Sequence, residues 1–511
     1  MVRDKPECSQ DHIPQLNFTN RSAFLGQYEA TTTTLSLTSP ASITRNGERE
    51  REGQSGKSSV SGNAPALMDS TSTQTSTGTA ATVVATGGLT SVQLQAPAQT
   101  QLPLQVIRFR TGLRNTVWDC MRDRGWKETD SDLDWDFFWA DVHWVHETFD
   151  HVYLHEHQRI NHFRNHYELT RKDLLVKNVK RMIKTIKKEY GKAESVKFEF
   201  ISTSYVLPQE HALFQEEFKR NSGGVWIMKP VGKAQGKGIF LINKLSQISG
   251  WKKDHRLKAS SASNGEESDA PEAYIVQRYI ENPYLIGGKK FDIRAYVLVL
   301  SYYPLVVYIH RNGFCRFSNT QFSMQAKDIS NMYIHATNVA IQKTSPNYDG
   351  DRGCKWLLRN LKTFLITKHG SGAVDELFTN MEALVVRSLM SVQKVMINDK
   401  HCFELYGYDI LIDSNLKPWL LEVNASPSLT AETQFDYDLK LAMLNDCFNV
   451  VDLEKRFDKD KKLRTRVGGF DLVYNDGPIT HECTANYSSY LGCHNPIPRA
   501  VRTKKRFTSN G

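Results

Sequence analysis

No Cys-x-x-Cys pair occurs in this sequence; its eight cysteines stand apart at positions 8, 120, 315, 354, 402, 447, 483 and 493. That scatter argues against a zinc module or a disulfide framework and suits a reducing compartment. The first thirty residues lack a basic-then-apolar signal pattern. No apolar run approaches the ~18 residues that a membrane span requires. A soluble intracellular protein is expected, with no membrane partner. Equally absent are a Walker A loop, a kinase-type Gly-x-Gly-x-x-Gly and a His-Glu-x-x-His zinc motif. No Ser/His/Asp or Cys/His arrangement stands out, so chemistry through a side-chain nucleophile is not expected.

The first 104 residues also have few large apolar side chains. "TTTTLSLTSP" and "STSTQTSTGTAATVVATGG" are rich in Ser, Thr and Gly, too polar to offset the entropy of ordering, and predict a disordered extension. What is present begins at "LPLQVIRFR". A chain of 511 residues leaves room for two or three domains and a sizeable core. We expect an α/β (α+β) architecture: a small α/β unit over 105–200, a strand-rich unit over 201–300, a further unit over 301–450, and a basic, largely disordered tail over 451–511. In the first unit a strand at Val106–Arg110 precedes a helix near Asn115–Arg124. Thr170 and Asp173 suggest a capping box for a helix whose apolar stripe is Leu175, Val179, Met182, Ile183 and Ile186. Its other face carries Lys177, Lys180, Arg181, Lys184, Lys187 and Lys188. The stretch "KASSASNGEESDAPE" reads as a polar loop, and 355–397 as helical.

"ELYGYDILIDSNLKPWLLEVNAS" predicts two strands joined by a turn around Ser414–Lys417. Paired positions in an antiparallel hairpin sum to a constant, so either a two-residue or a four-residue loop centred there sets Asp409 opposite Glu422. Alternation then puts Asp409, Glu422 and Asn424 on one face, with Ile410, Ile412, Leu421 and Val423 on the other. Three oxygen donors on two strands suit a hard cation such as Mg²⁺; an edge hairpin with a wet face is the plainer alternative.

Three further stretches carry charge or glycine where an apolar core would not. "VWIMKPVGKAQGKGIFLINK" ends a strand at Lys229 and continues through Gly232, Gly236 and Gly238 into a second strand. Glycines let backbone N–H groups approach phosphates, and the lysine adds a point charge; a flexible hairpin loop would look the same. "YIVQRYIENP" alternates as a strand able to offer backbone groups to a base. "LIGGKKFDIRAYVLV" places Lys290, Asp292 and Arg294 on one face of an apolar strand. Such charges need a polyanionic ligand or mutual ion pairing. The net charge of +9 is concentrated enough on the 171–190 helix and the 499–507 stretch to suit an acidic partner, although a solvated lysine face reads alike. No nucleic-acid-binding motif accompanies these lysines. The histidine-rich run "DVHWVHETFDHVYLHEHQRINHFRNH" has no zinc spacing.

In order along the chain, "NHFRNHYELTRKDLLVKN", "WIMKPVGKAQGKGI", "LIGGKKFDIRAYVLV", "NMYIHATNVAIQK" and "PWLLEVNASPSL" resemble the tubulin tyrosine ligase-like family of ATP-grasp ligases, in its polyglutamylase branch. The resemblance spans about 106–450. It implies ATP between two sheets, with one or two Mg²⁺ ions as cofactors. Lys229 and the flap Gln235, Gly236, Lys237 and Gly238 would meet the phosphates. Gln277, Arg278, Tyr279 and Ile280 would form the adenine hinge, and Lys290, Asp292, Thr337 and Asn338 would line the nucleotide. Asp409, Glu422 and Asn424 match the metal ligands, Lys229 and Arg294 the catalytic cations. Arg316 and Lys355 fall where the amino acid's carboxylates are held.

The implied reaction activates a carboxylate as an acyl phosphate, which the amine of free L-glutamate attacks, on the acidic C-terminal tail of tubulin. Microtubules in cytoplasm, cilium or flagellum are the implied setting. No dedicated microtubule-binding domain is evident after the ligase core, which leaves a role for accessory subunits. Two departures from the family pattern are Arg164 after Phe163, where proline is common, and Ile293 in place of leucine. The competing readings are a catalytically weak microtubule-binding accessory subunit, and a glycine or tyrosine ligase of the same family.

Overall fold

In the computed structural model, which describes residues 106–248, 273–346, 348, 355–455, 463–479 and 488–494, the aromatic-rich start builds a four-stranded parallel sheet. Arg108–Thr111 lies between Lys127–Glu128 and Phe137–Trp139, and Arg159–Ile160 closes the far side. The helix Thr116–Asp123 starts at Asn115, whose side chain accepts from the Val117 N–H, satisfying one orphan donor of the first turn. Val117, Cys120 and Met121 then pack with Trp126, Phe137 and Trp139 against Phe403, Met443 and Phe448. One apolar core therefore ties the beginning of the fold to its end. The expected disordered 1–104, the polar 258–272 loop and the basic 499–507 stretch lie outside the described residues.

The helix Lys172–Tyr190 buries Leu175, Val176, Val179, Met182 and Ile186, close to the predicted stripe. Its start differs. Thr170 ends a separate short helix, Tyr167–Thr170, and donates to the His166 carbonyl, while Asp173 pairs with the Arg171 side chain. The capping box does not form, because Thr170 is already committed to the preceding turn.

A second, antiparallel sheet follows in the order Ser204–Leu207, Tyr274–Arg278, Trp226–Pro230, Phe240–Ile242. The third sheet has nine strands centred on the 14-residue strand Lys289–Tyr302. That strand pairs with Glu404–Ile412 along one edge and with Leu305–His310 and Phe314–Phe317 along the other. Its length crosses the boundary expected at 300.

The predicted 355–397 helix starts later than expected and is broken once. Lys355–Leu357 is an edge strand beside Phe314–Phe317, and Gly370 breaks the following Leu358–Gln393 helix with φ 82°. The 451–511 stretch is not simply a tail. Phe470–Asn475 adds to the large sheet beside Leu305–His310, burying Phe470, Leu472 and Tyr474. Residues 488–494 dock on the core, with Ser489 and Leu491 buried. Among the described residues no helix is long and apolar enough to cross a membrane.

Candidate functional site

The two antiparallel-rich sheets face each other across an open cleft whose empty space, solvent at its mouth included, is about 700 Å³. Ile227 and Lys229 line it from the smaller sheet, Ile239 from the end of the glycine loop, and Lys290, Asp292, Asp409, Leu411, Leu421 and Glu422 from the larger sheet. Gln277–Ile280 form the back, and Met332 with His335–Asn338 the roof. The cleft thus has an apolar part that can hold a flat ring and a charged part that can hold an anion.

The carboxylates come from the predicted hairpin. Asp409 sits opposite Glu422, and Asn424 opposite Gly407. The turn is neither the two- nor the four-residue loop expected but a three-residue one: the Asp413 N–H donates to Lys417 O, Leu416 takes φ 60°, and the loop between them is Ser414–Leu416. A register shift between Asp409 and Ile410 pairs Ile410 with Leu420. This bulge restores the Asp409–Glu422 pairing and turns Leu421 into the cleft, where simple alternation had put it on the opposite face. Among the described residues no group of three or more His, Cys, Asp and Glu is arranged as a metal site. The donor set here is two carboxylates and an amide, and Asn424 does not itself line the cleft.

Asp409 is buried in an ion-pair network. Arg294 reaches it with Nε at 2.5 Å and a terminal nitrogen at 3.1 Å. Arg316 touches it at 2.7 Å and forks onto Asp292 at 2.8 and 2.5 Å. Burial alone would raise the Asp409 carboxyl, but the two guanidiniums hold it well below the usual carboxylate range. Arg294 can lie across the neighbouring strand because residue 407 is glycine; a Cβ there would come within 3.2 Å of the Arg294 Cδ and 2.8 Å of Pro427. Mutual pairing, one of the two options left by the sequence, accounts for Asp292 and Arg294. Neither Arg294 nor Arg316 is among the residues lining the cleft; both are held behind it by Asp409, and Arg316 also by Asp292. Lys355 is likewise engaged, with Glu432 at 2.8 Å and Asp436 at 3.4 Å.

The two lysines of the cleft have no such carboxylate fork. Lys229 Nζ donates to Gln277 Oε1 at 2.7 Å, and Gln277 is fixed in turn by donating to Ser204 Oγ at 3.0 Å. Burial pushes Lys229 down to about 8, with Glu422 opposing. Lys290 Nζ donates to the His335 carbonyl at 2.8 Å and to Tyr279 Oη at 3.1 Å. Burial pushes it down to about 7 against the attraction of Asp292. His335 completes the chain through Nδ1 to the Tyr279 hydroxyl and Nε2 to Asp328 O; its own burial lowers it to about 4. The neutral ring therefore donates from Nε2 and accepts the tyrosine hydroxyl at Nδ1.

The glycine loop stands at the rim. Gln235, Gly236 and Gly238 all have positive φ, and a Cβ on Gly236 would meet Ile341 Cδ1 at 2.5 Å and Asn338 Oδ1 at 3.2 Å. The loop tip thus leans on the 338–341 segment beside Thr337 and Asn338. Gln235–Gly238 are not themselves lining residues, whereas Ile239 is. Sequence reasoning missed His335, Ser202 and Met332 in the lining, and also Lys172, whose ammonium lies 3.4 Å from Glu422. His335 lay inside "NMYIHATNVAIQK" and Lys172 inside "LTRKDLLVKN", but nothing in their spacing pointed them at the hairpin.

A family model described as the tubulin-tyrosine ligase family matches residues 150–459. The chain is similar to "Probable tubulin polyglutamylase TTLL9" of Bos taurus, 53% identical over 427 residues that cover 78% of this chain and 92% of the relative. It is 46% identical over 383 residues to "Probable tubulin polyglutamylase ttll-9" of Caenorhabditis elegans, covering 75% and 88%. To "Probable alpha-tubulin polyglutamylase Ttll1" of Tetrahymena thermophila it is 44% identical over 392 residues, covering 72% and 93%.

Proposed function

The chain belongs to the tubulin-tyrosine ligase family, and from that premise we propose that it is an ATP- and Mg²⁺-dependent tubulin polyglutamylase, joining glutamate to glutamate side chains of tubulin tails. The observation that carries this reading is the cleft in which Lys229 and Lys290 face Asp409 and Glu422. Two lysines that burial pushes toward neutrality fit a polyanion, which would restore their charge. Two carboxylates and an amide fit an oxygen-preferring divalent ion. Lys229, Lys290 and the Gln235–Gly238 flap would hold the phosphates, Gln277–Ile280 the base, and Asp409, Glu422 and Asn424 the ion. When bound, the nucleotide supplies the phosphoryl group that makes an acceptor carboxylate open to attack by an amine.

The chain's own part is to orient and to set the field. Gln277 aims Lys229 along the cleft, and the Tyr279–His335 pair aims Lys290. Arg294 and Arg316 keep Asp409 ionised and fixed, acting through it, so preorganised charge waits where negative charge develops. Lys355 is the better placed of the two predicted amino-acid residues, with 23% of its side chain exposed against 7% for Arg316. The test is incorporation of radiolabelled amino acids into tubulin by the purified full chain with ATP and Mg²⁺. Glutamate should enter in preference to glycine or tyrosine, and Glu422→Gln should abolish it; undiminished incorporation by that variant would contradict the site.

Proton linkage gives a second expectation. Lys290 and Lys229 sit below the ordinary lysine value, so between about pH 7 and about pH 10 the unfolded chain binds protons that the folded one does not. Their contribution to stability without ligand therefore rises with pH across that window. A triphosphate reverses this by favouring the charged lysines. Nucleotide binding at pH 8 should take up protons and weaken as pH rises further; calorimetry in buffers of different ionisation enthalpy reads the uptake, and proton release would contradict it.

The acidic partner would be met in part by the 172–190 helix, where Lys177, Arg181, Lys184, Lys187 and Lys188 are exposed. Lys180 is not one of this set, since it pairs with Glu210 at 2.9 Å. Lys184→Glu with Lys187→Glu should raise KM for tubulin several-fold at low salt and leave kcat nearly unchanged. The difference should fade as ionic strength shortens the screening length; a salt-independent effect would count against attraction by this face.

A further inference from the structure

Lys172 is the first residue of the 172–190 helix. Its Nζ lies 3.4 Å from Glu422 Oε2 and donates to the backbone carbonyl of Lys233, in the glycine loop, at 3.3 Å. Only 15% of the side chain is exposed. It lines a smaller chamber that shares Lys229, Gln277, Leu421 and Glu422 with the main cleft and is otherwise walled by apolar side chains such as Leu175, Val176 and Val423. Glu422 is thus common to both chambers, with Lys229 and Lys172 as its neighbouring cations.

We propose that Lys172 is a positioning residue, the resident counter-cation of Glu422, which a divalent ion must displace, and which passes that displacement to the glycine loop through Lys233. The inference rests on the reading of Glu422 as an ion ligand. A divalent ion at about 2 Å from a carboxylate oxygen would meet the ammonium's like charge. Asp409 is neutralised in the same manner by Arg294 and Arg316. An ion arriving alone therefore finds little net negative charge, whereas one carried by a polyphosphate brings its own. The arrangement selects the ion–nucleotide complex over the free ion, and it explains why a hard-cation site here needs no cluster of acids. Lys172 keeps its second contact when Glu422 is taken, so the loop registers the exchange.

Mn²⁺ serves as the probe, read by the electron paramagnetic resonance of the free aqueous ion, with full-length protein. Lys172→Met should bind Mn²⁺ alone about tenfold more tightly than the wild type, or more, and the gap should narrow with a non-hydrolysable ATP analogue present. Lys172→Gln, which keeps a donor for the Lys233 carbonyl without the charge, should tighten binding in the same way. Lys172→Arg should stay near wild type. Loss of the fold would weaken binding, so tightening in both neutral variants cannot come from damage. Equal or weaker Mn²⁺ binding by both neutral variants, with wild type retaining Mn²⁺ and the analogue together, overturns the role of Lys172 alone. A wild type that retains no Mn²⁺ even with the analogue overturns the ion-ligand reading of Glu422 and this inference with it.

Discussion

Lys229→Met is expected to lower ATP-dependent glutamate ligation by about 10²–10³-fold, the usual effect of removing one preorganised donor from a site of developing charge. Its folded stability should not fall. The ammonium is held at the end of the Trp226–Pro230 strand by a single amide, Gln277, and burial already pushes it down to about 8. Exchanging a costly buried charge for an apolar side chain of similar length is commonly neutral or stabilising. Lys229→Arg should not restore activity, because a planar fork cannot replace a compact charge at this amide. Activity within a few-fold of wild type in Lys229→Met, with the thermal midpoint unchanged, would remove Lys229 from the machinery.

The largest stability effect is expected at Asp409. Asp409→Asn takes one carboxylate from a network in which Arg294 and Arg316 both point at it and Asp292 is the remaining anion. All four side chains are at most 8% exposed, so an excess guanidinium charge is stranded away from water. Breaking a buried pair in this way costs about 3–5 kcal/mol, a large share of a domain's total stability. Chemical denaturation should show it directly. Arg294→Met combined with Asp409→Asn restores the charge balance around Arg316 and Asp292, so the double variant should be more stable than Asp409→Asn alone. A cost under 1 kcal/mol for the single variant would mean that the network is solvated rather than sealed. Ligation should be lost as well, and the double variant, lacking the carboxylate, should not recover it.

The sequence by itself determined the hairpin, the strand ending in Lys229, and the strand that carries Lys290, Asp292 and Arg294, because period-two alternation and turn residues act over a few positions. It also determined the Asp409–Glu422 pairing, although the route differed: a three-residue turn shifted the register by one and a bulge at Leu421 shifted it back. Composition could not show which charges would pair among themselves. Arg316 and Asp292 belong to adjacent strands whose register is a property of the sheet, and only that register brings the two into an internal ion pair. Lys172 is the clearest case. It lies 250 positions from Glu422 in the chain, on a helix that read as surface, and reaches the carboxylate because the apolar stripe behind it docks in one orientation. Residues 470–475 joined the large sheet for a similar reason, since a short apolar strand has a partner only once an open edge exists. Local periodicity is written in neighbouring residues, whereas ion pairing, edge filling and cleft lining depend on distances that exist only after the sheets have packed.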